Sequence, residues 1–367
     1  MTRQQLTAYI ESILPADREA MDAARRRQAE LAKPPGSLGA LEDMSIRLAG
    51  IRRTPRPRID RCRVTVLAAD NGVVAEGVSC APQSVTVQQA VNMTRHKTGM
   101  SALAAYFGDE VQVVDVGICV PVPCPQVLDR KVRFSTGDIA REPAMTEQEA
   151  LRALSVGLDL ARMAKEDGIA AVGVGEMGIG NTTTSAAVLA ALTGASVEDV
   201  TGRGGGLTDE GFATKKRVLR QALALHHPDP GDPVAVLAAV GGLDLAAMTG
   251  LFLGCAHEGL AAAVDGYISI VAALCAVRLC PRVRDYLFLS HASYEIGYRL
   301  AARELDLEPC LLLGMRLGEG SGCPLLFRIL QGACAVLNGM ATFPEAAIED
   351  EYLTPIRQGD AFTVDKS

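Results

Sequence analysis

The stretch IAAVGVGEMGIGNTTTSAAVLAAL (169–192) decides how the chain is read. Its first part, Ile169–Val174, is too uniformly apolar and small for a strand with one wet face, and reads as a strand buried on both sides. The run ends at Gly175-Glu176, turns through glycines at 178 and 180, and opens an Ala-rich helix over 183–193. Strand, glycine turn and helix in that order are the unit from which parallel sheets are built.

The same rhythm recurs on either side. Val64–Ala69 ends at Asp70-Asn71-Gly72, Val111–Val116 at Gly117, Leu260–Val264 at Asp265-Gly266, and Tyr286–Leu289 at Ser290-His291. A further apolar run, Cys310–Leu313, leads into GMRLGEGSG (314–322). Helical patterns are clearest at 183–193, 243–257, 268–279, 295–305 and 323–339. The expected fold class is α/β, a parallel sheet flanked by helices in a Rossmann-like three-layer arrangement, with ligands beyond the carboxyl ends of the strands. Residues 63–339 form the α/β catalytic domain in this reading. Residues 1–62 and 340–367 form a small helical subdomain, with one or two polar helices over 3–32 and a break at Pro34-Pro35-Gly36.

Composition narrows the function. Lys+Arg number 36 against 43 Asp+Glu, a net charge of −7, with aromatics at 4% and no Trp, which argues against nucleic-acid binding. The basic stretch RRTPRPRIDRCR (52–63) reads as a solvated, Pro-broken linker. Ten cysteines without a CxxC pair and five histidines without HxxxH or HExxH read as reduced thiols, with no disulfide framework and no zinc site. The N-terminal segment lacks an apolar signal-peptide region. The longest uncharged run, Met177–Val197, opens with glycines and threonines and is a poor membrane span. A cytoplasmic protein with no membrane partner is expected.

Three segments carry candidate chemistry. Gly173 to Gly178 fits GxGxxG with Glu198-Asp199 some way on, a dinucleotide pattern. Its continuation as GIGNTTTS sets Asn181 and Thr182 at a helix start, which suits a mononucleotide phosphate or ribose better. No GxxxxGK[ST] occurs. TGRGGGLTDEGFATKK (201–216), with Arg203, Lys215 and Lys216, reads either as an anion site or as a flexible loop followed by a solvated helix. In GMRLGEGSG, Glu319 between glycines reads either as a general base with a raised pKa or as an acid favouring a helix start.

Taken together, KPPGSLGALE (33–42), DNGVVAEGVSCAPQSVTVQQAVNM (70–93), GVGEMGIGNTTTSAA (173–187), VGGLDLAAMTGLFLGCA (240–256), VDGYISIVAAL (264–274), LSHASYEIGYRL (289–300) and GMRLGEGSG resemble one family. That family is the nicotinate-nucleotide–dimethylbenzimidazole phosphoribosyltransferases, which activate the lower-ligand base of cobalamin; the resemblance runs from about 33 to 342. It implies transfer of phosphoribose from nicotinate mononucleotide to the ring nitrogen of dimethylbenzimidazole, releasing nicotinate and giving the α-ribotide, without a metal or other cofactor. By the resemblance Glu319 is the general base and Glu176 a second carboxylate near the ribose. Gly178, Lys215 and Ser293 match positions holding the phosphate, while Gln89, Met177 and Leu317 frame the base, with Asn181, Thr182 and Gly318 also counted as substrate-binding. A homodimer is implied.

The chain departs from the family pattern at two positions. Asn71 stands where the family has His, and Ala81 where a Ser-Pro step supplies a hydroxyl to the base site. Purines, other benzimidazoles and phenols such as p-cresol, the last used by relatives that pair two unlike subunits, therefore stand as alternative acceptors. A nucleotide-binding subunit without activity of its own is the remaining alternative.

Overall fold

A computed structural model describes residues 1–354. The residues fall into two compact units, Met1–Pro15 with Arg61–Leu326, and Ala16–Asp60 with the described residues from Phe327 onward. The sequence reading groups 1–62 with 340–367, of which 355–367 lie outside the described residues. Residues 1–15 belong instead with the larger unit. Arg3, at the start of the helix Arg3–Ser12, pairs with Glu147 and Asp232, and the Tyr286 hydroxyl donates to the Leu14 carbonyl at 2.8 Å.

The larger unit is built on one sheet of six parallel strands in the order β3-β2-β1-β4-β5-β6. They are β1 (Cys62–Ala69), β2 (Glu110–Gly117), β3 (Val127–Asp129), β4 (Ala171–Met177), β5 (Ala261–Val264) and β6 (Leu287–Leu289). Every residue of β1 and β4 is buried, which explains why these strands read as continuous apolar runs. The strand order reverses between β1 and β4, the switch point at which doubly wound sheets open a ligand crevice. Helices follow the strands, among them Asn181–Thr193 after β4 and Tyr267–Leu279 after β5.

Two local expectations change. Cys310–Leu313 is not a strand; it contributes a single bridge, Leu311 to His291, and leaves Leu312 and Leu313 exposed. The short β3 gave no sequence signal. Among the described residues, no helix is long and apolar enough to cross a membrane.

The smaller unit packs the helices Arg18–Glu30 and Ala40–Arg52 with the distal part of Cys323–Gly339, around Ala24, Ile46, Ala49 and Leu337. The KPPGSLG segment lies here, where Lys33 Nζ pairs with Glu42 at 2.6 Å.

Candidate active site

A cavity opens at the carboxyl edge of the sheet, lined from the segments after β1, β4, β5 and β6. Strand β4 delivers Glu176 and Met177, and Gly178-Ile179-Gly180 then turns the chain into the helix Asn181–Thr193. No side chain caps this helix, and Gly178, Gly180, Asn181 and Thr182 all line the cavity. A free helix N-terminus facing a pocket suits an anion. The dinucleotide alternative loses its ribose acid, because Glu198 lies in the helical turn Val197–Val200, not at a strand end, and pairs with Arg220.

Glu176 is buried and fully engaged. Its Oε1 accepts the Glu319 N–H at 3.1 Å, and its Oε2 accepts the Asn181 amide, which also donates to Asp244 Oδ2 at 3.2 Å. Burial raises the pKa of Glu176, opposed by its hydrogen bonds to Asn181 and to the Glu319 N–H. Burial pushes Asp244 further, up to about 7.

Glu319 stands across from it in a loop that has neither strand nor helix. Its own φ is +64°, and a Cβ at Gly175 would come 2.6 Å from its carbonyl oxygen, so only glycine lets β4 and this loop touch. The Glu319 carboxylate faces the start of the helix Gly99–Phe107, where the Met100 N–H donates to Oε2 at 3.4 Å. Burial raises its pKa, and the Met100 N–H and Thr98 side chain hold it partly back. The result is a sheltered carboxylate with a strengthened affinity for a proton, the property a general base needs.

Lys215 corrects one alternative from the sequence. On the helix Asp209–His226 it is fully buried, with Nζ donating to Thr182 Oγ1 at 2.8 Å and to the Gly202 carbonyl at 3.2 Å. It therefore stands directly behind a cavity residue, not on a solvated face. Burial lowers its pKa to about 8, and the Glu295 carboxylate works against that shift. Arg203 lines the cavity while pairing with Asp209, whereas Lys216 lies over the Phe212 ring outside it.

Ser79, Cys80, Ala81, Val85, Gln89 and Leu317 line the cavity as well. Ser293, Met177 and Gly318 also line the cavity, so of the catalytic and substrate-binding residues that the resemblance implies, all but Lys215 are in the lining. The two departures from the family pattern separate. Ala81 faces the cavity, whereas Asn71 is buried outside it, with Oδ1 accepting the Thr184 hydroxyl at 3.3 Å. Sequence reasoning gave no role to Asp244, Asp265, His291 or Glu295. Asp265 directly follows β5 and His291 lies two residues past β6, and that position was their only signal.

A crevice at the switch point, lined by Glu176, Glu319 and an uncapped helix N-terminus, defines an α/β protein with a ligand site beyond the carboxyl ends of its strands. Comparison makes the class specific: residues 13–348 match the family model described as phosphoribosyltransferase. The chain belongs to the nicotinate-nucleotide–dimethylbenzimidazole phosphoribosyltransferase family. It is 45% identical over 359 residues to the enzyme of that name from Clostridium perfringens, covering 98% of this chain and 99% of the relative. It is 46% identical over 349 residues to that of Geobacter sulfurreducens, covering 95% and 99%. A crystal structure of the Thermus thermophilus enzyme superposes with a TM-score of 0.86 at 42% identity, over 91% of this chain and 99% of that one.

Proposed function

We propose that this chain moves phosphoribose from nicotinate mononucleotide to dimethylbenzimidazole or a related lower-ligand base. The observation that carries the reading is the meeting of Glu176 and Glu319 in one cavity beside the open start of the helix Asn181–Thr193. The acceptor nitrogen attacks the anomeric carbon, the bond to the pyridinium nitrogen breaks, and its electron pair stays on nicotinate. Nicotinate thus departs as a neutral ring and needs no acid. The acceptor becomes cationic as it bonds, and Glu319 takes its N–H proton. Glu176 offsets the positive charge that develops on the ribose. The phosphate is held by the N–H groups around Gly178, by Asn181 and Thr182, by Ser293, and by the charge of Lys215 behind Thr182. Gln89, Met177, Leu317 and Gly318 frame the acceptor.

The test is nicotinate release by the purified chain, with the mononucleotide and each acceptor in turn. Release that depends on dimethylbenzimidazole and is lost in Glu319→Gln supports the reading; undiminished release in that variant overturns it. Adenine and phenols run in parallel test acceptor breadth, for which Ala81 in the cavity wall is the supporting observation.

A homodimer in the cytoplasm completes the proposal. The ten cysteines are free thiols, which suits a reducing compartment. The loops over 292–296 and 311–317 lie side by side, Ala292 N–H donating to the Leu311 carbonyl at 2.9 Å and Tyr294 N–H to the Met315 carbonyl at 3.2 Å. Together they expose Tyr294, Ile296, Leu312, Leu313 and Leu317, an apolar rim that a second copy would cover. Sedimentation equilibrium tests it, with a monomer as the contrary result.

A further inference from the structure

The sheet brings a third acid to this edge that the proposed chemistry does not use. Asp265 follows β5 and is 1% exposed, and it is absent from the cavity lining although its neighbours Gly266 and His291 are part of it. Its two carboxylate oxygens point at the Glu319 loop: Oδ2 accepts the Gly320 N–H at 3.1 Å and Oδ1 the Gly322 N–H at 2.7 Å. The main chain of Asp265 is itself anchored. Its N–H donates to Ser269 Oγ at 3.2 Å, the Ser269 hydroxyl donates to the Val174 carbonyl of β4 at 2.8 Å, and the Asp265 carbonyl accepts the Ser290 hydroxyl at 3.2 Å.

A loop without strand or helix must find other acceptors for its buried N–H groups. In this one, the amides of 319, 320 and 322 end on the carboxylates of Glu176 and Asp265. His291 Nδ1 lies 3.8 Å from Asp265 Oδ1, but burial holds the imidazole near a pKa of about 4 and so neutral. The contact is therefore not an ion pair; burial pushes the Asp265 carboxyl up to about 7, and the Gly320 and Gly322 amides work against that shift and hold its oxygens.

We infer that Asp265 is the positioning residue for Glu319, fixing from β5 the loop backbone that aims the Glu319 carboxylate into the cavity. The inference rests on reading Glu319 as the base. A carboxylate displaced by a fraction of an ångström to an ångström from its working geometry loses rate without losing substrate binding. Because Asp265 acts through Glu319, its removal has no effect where Glu319 no longer does the work.

A double-mutant cycle of Asp265→Asn and Glu319→Gln, followed by nicotinate release, tests this. Asp265→Asn alone is expected to lower kcat about 10-fold to 100-fold, with KM for nicotinate mononucleotide changed by less than about 2-fold. Added to Glu319→Gln, it is expected to leave the residual kcat unchanged. An equal loss on both backgrounds, or no loss in the single variant, overturns the role of Asp265 and leaves the base assignment standing. Full kcat in Glu319→Gln alone overturns the base assignment and this inference with it. If Asp265→Asn does not fold, Ser269→Ala, which frees the Asp265 N–H, carries the same cycle with an expected loss of about 3-fold to 10-fold, and additivity there is again the contrary result.

Discussion

Glu176 and Glu319 reach the same cavity by opposite routes. Glu176 is the penultimate residue of a strand buried along its whole length, and its partner Asn181 opens the helix that the same strand turns into. Glu319 stands in an irregular loop and depends on Gly175, Glu176 and Met100, all distant in sequence. The first acid moves only if the sheet moves. The second is set by what other segments offer it, so substitutions far away along the chain reach it first.

The largest expected effect separates the two acids directly. Glu319→Gln is expected to lower kcat by about 10²-fold to 10⁴-fold, the range for loss of a general base. Glu176→Gln keeps an acceptor for the Glu319 N–H and is expected to cost less, about 10-fold to 100-fold. Their pH profiles should differ as well. The base works ionised, and burial raises Glu319 above the ordinary carboxylate range, so kcat falls as pH drops through that raised value. That acid limb is expected to disappear in Glu319→Gln. If it persists, another group is the base.

Gly175→Ala breaks the comparison from the other side. The added methyl would meet the Glu319 carbonyl at 2.6 Å and the Gly320 nitrogen at 3.0 Å, while Glu176 next to it keeps Asn181. A loss of kcat of about 100-fold is expected, together with about 1–3 kcal/mol of stability from overpacking, read by activity and thermal melting. Unchanged kcat with lowered stability would show that the loop holds Glu319 in register without this contact.

How much of this was legible follows the same division. Strand ends, the glycine turn and the helix after β4 are local matters, and apolar runs with small-residue stops reveal them. Glu176, Asn181 and Thr182 came with them. Apolar character misled at Cys310–Leu313, where Leu312 is 84% exposed, because apolar residues also line surfaces. The segment around Lys215 reads equally as an anion site or a solvated helix, and only the resemblance pointed to the phosphate; what sets Lys215 apart is the helix folded against Thr182. The duty of Asp265 is longer-ranged still, since it exists only once β5 meets a loop far along the chain. KPPGSLG was a plain family signature, yet in the smaller unit its lysine pairs with Glu42.

Lys215 gives the next effect in size. Lys215→Met keeps the stem and removes the charge, and is expected to raise KM for the mononucleotide about 10-fold with a smaller change in kcat. The cation also makes binding proton-linked. With a pKa lowered to about 8, Lys215 is largely neutral above that pH in the free protein. A phosphate beside it favours the charged form, so binding takes up a proton, and affinity weakens as pH rises through about 8. Calorimetry in two buffers of different ionisation heat measures the uptake, which Lys215→Met should abolish.

The smallest expected effect concerns the two departures from the family pattern, which differ in the same way as the two acids. Asn71 is held inside the fold, its side chain receiving the Thr184 hydroxyl and its carbonyl the Gln83 amide at 3.2 Å. Ala81 faces the cavity, and the nearby Ser79 hydroxyl is already engaged with its backbone, at 3.2 Å to the N–H and 3.1 Å to the carbonyl. Ala81→Ser therefore adds a free hydroxyl to the acceptor wall without disturbing the base. A new hydrogen bond to an acceptor that can pair with it is worth about 1 kcal/mol, or roughly 5-fold in kcat/KM. An acceptor lacking such a group should gain nothing. Asn71→His, by contrast, must fit a larger ring behind the glycine turn, and should change stability before it changes the choice of acceptor. Acceptor ratios that move with position 71 and not with position 81 would reverse that assignment and locate the selectivity behind the wall.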